Sequence, residues 1–282
     1  MSKRLRVAAA QIAVSGDIPA NTRRIVDGIE RAADGRAEAV VFPECILTGY
    51  PSLDWPKSRS LDQVNRRQWQ GALAAVRRAA RQNRIHVIVG TIRFEGRRAF
   101  NAAYAIDPAG AIAAIYDKVQ LVQAKGGDAD HFGAGHRFPL FRVGAARCAM
   151  QICMDSRYPE NYRYLKSLGT QIIFQPFYAA GEGTTWKQPV LEGTLRCRSA
   201  ENGLFIVAAN VAHPHPSLLS RICDRNGRSL AQAVSGTEEI IFADLDFAKP
   251  HAHFYEARRA DLLNVAASPA LLESPSRRSR KR

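Results

Sequence analysis

The strongest constraint in this chain is the alternation between short apolar runs and stretches with helical periodicity. Ala39-Val40-Val41-Phe42 is a four-residue run of buried-strand character that stops at Pro43-Glu44. It is too short for a helix, and proline ends it. Before it, Ile25, Val26, Ile29 and Ala32 form an apolar stripe at helical spacing within Pro19–Ala33. After it, Trp69, Leu73, Val76 and Ala80 place a second stripe within a helix expected over Leu61–Asn83.

The same reading gives strands over Leu5–Ala13, Ile85–Ile92, Ala99–Ile106 and Ala111–Lys118. A loop covers Val119–Arg137, and a strand follows over Arg147–Cys153. The second half continues with a helix over Pro159–Leu168, a strand over Gln171–Phe174, a helix over Trp186–Asn202 and a strand over Leu204–Ala209. Three further strands cover Ser220–Asp224, Ser229–Val234 and Glu239–Asp244, the first two joined by a hairpin turn at Arg225-Asn226-Gly227. No repeat or linker divides the chain, so one α/β domain over residues 1–267 is expected. A Ser/Pro/Arg-rich basic tail over residues 268–282 follows it.

With 46% hydrophobic and 23% charged residues, the chain has a globular composition and enough length for a large core. The five cysteines are odd in number and widely spaced, which points to reduced thiols and a cytoplasmic protein. No apolar stretch approaches the ~18 residues of a membrane helix. The net charge of +14 owes five basic residues to the last seven positions. The other basic residues are scattered without interleaved aromatics, so no nucleic-acid partner is expected.

Three reactive side chains stand at the ends of expected strands: Glu44 after Ala39–Phe42, Lys118 at the end of Ala111–Lys118, and Cys153 at the end of Arg147–Cys153. Strand ends bring distant residues into one crevice. Each residue also has an ordinary reading, as a loop acid, an edge lysine and an inert thiol.

The surrounding words change the balance. Val40-Val41-Phe42-Pro43-Glu44 with Leu47-Thr48-Gly49-Tyr50, Tyr116-Asp117-Lys118-Val119-Gln120-Leu121, and Ile152-Cys153-Met154-Asp155-Ser156-Arg157-Tyr158-Pro159-Glu160 occur in this order. They resemble the glutamate, lysine and cysteine motifs of the nitrilase superfamily, its amidase or carbamoylase branch. Asn21, Leu195–Asn202 and Ala208-Ala209-Asn210 extend the likeness, which runs from about Val7 to Asp246.

That resemblance implies a four-layer α-β-β-α sandwich of two stacked mixed sheets with helices outside. It implies catalysis by Glu44, Lys118 and Cys153, with the N–H of Met154 at the oxyanion, and no metal or organic cofactor. The partners it implies are a small amide, ureido or nitrile substrate and a second copy of the chain. Asp128 stands where the family has a second glutamate and Ala134 where it has a proline, which leaves the loop's role open. Arg157, Phe177, Tyr178 and Trp186 are candidates for the substrate pocket. His213 and His215 form a proline-spaced pair without other ligands, a weak metal signal. Hydrolysis of an amide or N-carbamoyl bond through a thioester is the expected reaction. Nitrile hydrolysis, acyl transfer to an amine, and an inactive basic binding protein are the alternatives.

Overall fold

The computed structural model describes residues 4–258; the expected tail at 268–282 lies outside the described residues. Two six-stranded mixed sheets stack face to face. The first has the order β12-β1-β2-β3-β4-β5 and the second β11-β10-β9-β8-β7-β6. Their strands are β1 (Arg4–Gln11), β2 (Ala39–Val41), β3 (His86–Glu95), β4 (Arg98–Ile106), β5 (Ile112–Asp117), β6 (Leu140–Val143), β7 (Ala146–Met150), β8 (Ile172–Pro176), β9 (Phe205–Ala209), β10 (Arg221–Cys223), β11 (Ser229–Gln232) and β12 (Glu239–Asp246). In each sheet three central strands are parallel, β1-β2-β3 and β7-β8-β9, and the flanking pairings are antiparallel.

The helices are α1 (Ile18–Asp34), α2 (Pro51–Asp54), α3 (Arg66–Asn83), α4 (Pro159–Ser167) and α5 (Gln188–Asn202). The apolar stripes of α1 and α3, Ile25, Ile29, Leu73 and Val76, pack with Val40, Val87 and Val89 on the outer face of the first sheet. Leu165 of α4 and Leu195 of α5 pack with Ala149, Ile173 and Ile206 on the outer face of the second. Between the sheets, Val7, Val41 and Ile88 meet Cys148, Phe174 and Val207. The alternation of side chains along each strand feeds both interfaces, so the parallel strands are apolar on both faces. The architecture is the expected α-β-β-α sandwich.

Local details differ from the sequence reading in several places. A 3-10 turn occupies Leu61–Gln63, and α3 starts only at Arg66, where the Asn65 side chain accepts from the Gln68 N–H at 3.1 Å. The cap ends the extended segment that periodicity alone joined to the helix. Strand β6 was not foreseen; it is a four-residue edge strand paired with β7. Strand β7 ends at Met150, so Cys153 lies beyond it, at the start of a 3-10 turn spanning Cys153–Arg157. Lys118 likewise follows β5 rather than ending it.

Gly90 on β3 shows how tightly the first sheet holds the segment after β2. A Cβ there would lie 2.3 Å from the Pro43 carbonyl oxygen and 2.8 Å from the Glu44 Cα. Gly90→Ala must push the Pro43–Cys45 backbone outward, an overpacking strain of about 1–3 kcal/mol. Chemical denaturation should show this loss in the unfolding midpoint. An unchanged midpoint would mean that the contact is slack.

Candidate active site

Glu44 occupies a sharp departure from the sheet. The Phe42 N–H still donates to the Ile88 carbonyl at 2.8 Å, in register with β3. Then Cys45 adopts φ +52°, and Gly49 N–H closes the turn on the Cys45 carbonyl at 2.8 Å. The turn drives the Glu44 side chain into the protein, where it is 1% exposed. Its Oε1 accepts from Lys118 Nζ at 2.6 Å and from Asn101 Nδ2 at 2.7 Å, and its Oε2 accepts from the Tyr178 N–H at 2.8 Å.

Lys118 is fixed by its own backbone, donating to the Asn101 carbonyl and accepting from the Gly135 N–H, both at 2.8 Å. Its ammonium sits between two carboxylates, Glu44 Oε1 at 2.6 Å and Asp128 Oδ2 at 2.7 Å. Asp128 therefore holds the lysine despite its shorter side chain. Its Oδ1 accepts from Tyr50 Oη at 2.7 Å and Asn101 Nδ2 at 2.9 Å, and its Oδ2 accepts from the Val122 N–H at 3.0 Å. A 3-10 turn over Asp128–Asp130 carries it inward.

Cys153 has φ +40°, a left-handed conformation rare outside glycine, at the mouth of its turn. Asp155 in the same turn accepts from the Ile152 N–H at 2.8 Å, from Tyr116 Oη at 2.8 Å and from the Gln120 N–H at 2.9 Å. This one carboxyl ties the cysteine turn to the segment that follows Lys118. The Tyr178 N–H holds Glu44, and Glu44, Lys118 and Asp128 all act on the Cys153 thiol electrostatically. Among the described residues the Met154 N–H has no hydrogen-bond partner.

The electrostatics follow from one ammonium serving two carboxylates. Burial pushes the Glu44 pKa above the ordinary carboxylate value, with Asp128 adding to the rise and Lys118 opposing it. Burial is the largest influence on Asp128 and would raise it, but the Lys118 ammonium together with the hydrogen bonds from Lys118, the Val122 N–H and Asn101 outweighs it, so its pKa falls below the usual value. For Lys118 burial favours the neutral amine, but the attraction of Glu44 and the other negative groups prevails and holds it cationic. Burial first, then the Glu44 carboxylate, keeps Cys153 protonated well above the range of a free thiol. Asp155 is pushed up to about 6, chiefly by burial.

The other sequence candidates separate. Tyr178 belongs to the cluster through its N–H, and its hydroxyl donates to Asp54 Oδ1 at 2.9 Å. Phe177 contributes a carbonyl that accepts from the Glu44 N–H at 3.2 Å, and its ring is buried in the core beneath α4 and α5. Trp186 is 67% exposed, under Lys187. Arg157 is exposed and forms no ion pair with Glu160 among the described residues. The sequence reading missed Asn101, Tyr50, Asp54, Tyr116 and Asp155. Tyr50 and Asp155 lay inside the quoted motifs, whereas Asn101 sits in a strand with no local signal. Among the described residues His213 and His215 gather no third ligand; the His215 N–H donates to His213 Nδ1 at 3.0 Å.

Comparison with known proteins bears on the family and the fold. A family model described as carbon-nitrogen hydrolase matches residues 6–251. A 2-oxoglutaramate amidase of Bacillus subtilis is 26% identical over 219 residues, 74% of this chain and 78% of that protein. A hydrolase encoded in the pqqF 5' region of Pseudomonas protegens is 30% identical over 246 residues, 82% and 75% of the two chains. Among solved structures, an amidase of the nitrilase superfamily from Nesterenkonia AN1 superposes with a TM-score of 0.77 at 26% identity, covering 92% of this chain and 95% of that one. A second structure of that amidase carries the acetamide moiety of fluoroacetamide covalently added at its active-site cysteine, with a TM-score of 0.77, 25% identity and the same coverage.

If Glu44 is the base, kcat/KM should fall as pH drops through its pKa, and that acid limb should lie above the ordinary carboxylate range. Asp128→Asn removes a negative neighbour that raises Glu44. It should move the limb to lower pH while misplacing Lys118, with a loss of about 10²-fold in kcat. A pH–rate profile of both proteins reads the two effects. A limb unmoved by the substitution would detach Asp128 from the base.

Proposed function

The chain belongs to the carbon–nitrogen hydrolase family, and from that premise we propose that it is a cysteine-dependent amidase acting on small primary amides. The supporting observation is the buried Glu44–Lys118 ion pair at 2.6 Å, both members of which act electrostatically on the Cys153 thiol. A buried carboxylate next to a thiol is the group suited to take its proton. The matched relatives and structures point to amides, as their names include 2-oxoglutaramate amidase, omega-amidase and amidase.

In the resting site Glu44 is ionised and the Cys153 thiol is protonated. Substrate binding displaces water and brings the amide carbonyl carbon to the sulfur. Glu44 takes the thiol proton as the sulfur attacks, which avoids forming a free thiolate in a cluster that already holds a net negative charge. The carbonyl oxygen gains the negative charge. Lys118 Nζ and the unpartnered Met154 N–H are the donors for it, and loss of one such donor typically costs about 10²–10³ in rate. Glu44 gives its proton to the amide nitrogen, the C–N bond breaks, and ammonia leaves a thioester on Cys153. Water enters, Glu44 removes its proton, and the hydroxyl adds to the thioester carbon. The C–S bond breaks, the thiolate recovers the proton from Glu44, and a carboxylic acid departs. Asn101 and Asp128 keep Lys118 and Glu44 in register throughout.

Cys153→Ala should retain the fold and lose turnover of a panel of small amides. Glu44→Gln should slow both acylation and deacylation. Ammonia release, measured with circular dichroism as the fold control, checks both. Normal turnover by Cys153→Ala would eliminate this reading.

A further inference from the structure

The C-terminal segment carries a second cluster of ligating side chains, far in sequence from the catalytic one. After β12 the chain runs back along the hairpin turn at Arg225-Asn226-Gly227. Asn226 Nδ2 donates to the Pro250 carbonyl at 3.2 Å and the Ala252 N–H donates to Asn226 Oδ1 at 2.9 Å. These bonds clamp the backbone on either side of His251. The His251 ring lies against Gly203, the left-handed cap at the C-terminal end of α5, where a Cβ would come within 2.8 Å of His251 Cδ2. Two residues on, His253 faces the same side; the two ring centroids are 4.6 Å apart. Glu256 completes the group, with Oε2 at 3.8 Å from His253 Nδ1. One ligand atom from each of His251, His253 and Glu256 lies within 4.8 Å of the others.

From this grouping we infer a binding site for a divalent transition-metal ion, of which Zn²⁺ is the representative, at His251, His253 and Glu256. Two imidazoles and one carboxylate are a donor set for Zn²⁺ and its late first-row neighbours, not for Mg²⁺ or Ca²⁺, which take oxygen ligands. Contraction of the three donors around an ion at Zn–N and Zn–O distances of about 2.0–2.2 Å needs only ring rotations in a part-exposed segment. The two oxygens of Glu256 are already divided: Oε2 faces His253, while Oε1 faces Lys166 Nζ at 3.6 Å. Metal binding through Oε2 therefore leaves Lys166 as a partner that orients the carboxylate, an outer-shell arrangement common at metal sites. The cluster lies beside Gly203 at the C-terminal end of α5, where the helix dipole favours a cation.

The ion acts as a clasp. Tyr255, between the ligands, packs against Arg163 and Lys166 of α4. A metal held by the flanking residues fixes this segment across the ends of α4 and α5, the helical layer next to the Cys153 turn. Three protein ligands leave a fourth position for water.

Equilibrium dialysis of the metal-stripped full chain against about micromolar Zn²⁺ tests the site. The expected result is one equivalent bound that is lost in His251→Ala/His253→Ala and weakened about tenfold or more in Glu256→Gln. A His213→Ala/His215→Ala variant should keep it. Zn²⁺ should also raise the melting temperature of the unaltered chain and not that of the His251/His253 variant, and ammonia release should remain in all of them as proof of folding. Equal Zn²⁺ binding by the unaltered chain and the His251/His253 variant overturns the proposal, as does the absence of binding to either.

Discussion

One buried ammonium shared by two buried carboxylates organises this molecule. Removing charges from water is costly, and here three of them are enclosed with less than 2% side-chain exposure each. The arrangement persists because every partner is present: Lys118 bridges Glu44 and Asp128, and Asn101 donates to both carboxylates with the two hydrogens of one amide. Loss of one member would leave a buried charge uncompensated. Each member also comes from a different segment, the turn after β2, the residue after β5, the loop before β6 and the start of β4, so the sandwich must be assembled for the cluster to exist.

The cluster's net negative charge then explains the state of the Cys153 thiol. A thiolate beside it would add a second negative charge in a region already short of cations. The ammonium of Lys118 is committed to carboxylates at 2.6 and 2.7 Å. In the mechanism we propose, Cys153 stores its proton until Glu44 takes it during attack. This differs from a cysteine activated by a standing ion pair, where the thiolate exists before the substrate arrives. Burial, which raises the Glu44 pKa, also strengthens it as a base.

The sequence was legible where chemistry and chain direction coincide. Pro43-Glu44, Asp117-Lys118 and Cys153-Met154-Asp155 sit where an apolar run breaks, and the break itself marks a residue leaving a sheet. The two-sided burial of Val40, Val87 and Ile173 showed in the continuous apolar runs. Asn101 was hidden because a single amide in Ala99–Ile106 has no periodic or motif signature; only the pairing of β3 with β4 and the approach of Glu44 give it a role. Asp128 could be placed by alignment of the loop words, but whether its shorter side chain reached Lys118 depended on the 3-10 turn that carries it. The left-handed φ of Cys153 is a tertiary constraint, imposed by Asp155 reaching both Ile152 and Gln120. Alternation beyond β8 turns the Phe177 ring to the helical side, while its neighbour Tyr178 meets the carboxylates of Glu44 and Asp54.

The claim that a proton-storing thiol faces a carboxylate base is tested most directly by titrating Cys153 itself. The ultraviolet absorbance of thiolate, taken as the difference between the unaltered chain and Cys153→Ala across a pH series, reports that group alone. The account predicts no thiolate signal at neutral pH, and onset only above the range of free cysteine. A thiolate signal already present at neutral pH would show that Lys118 stabilises the charged sulfur in preference to its carboxylates, and would contradict the role given to Glu44.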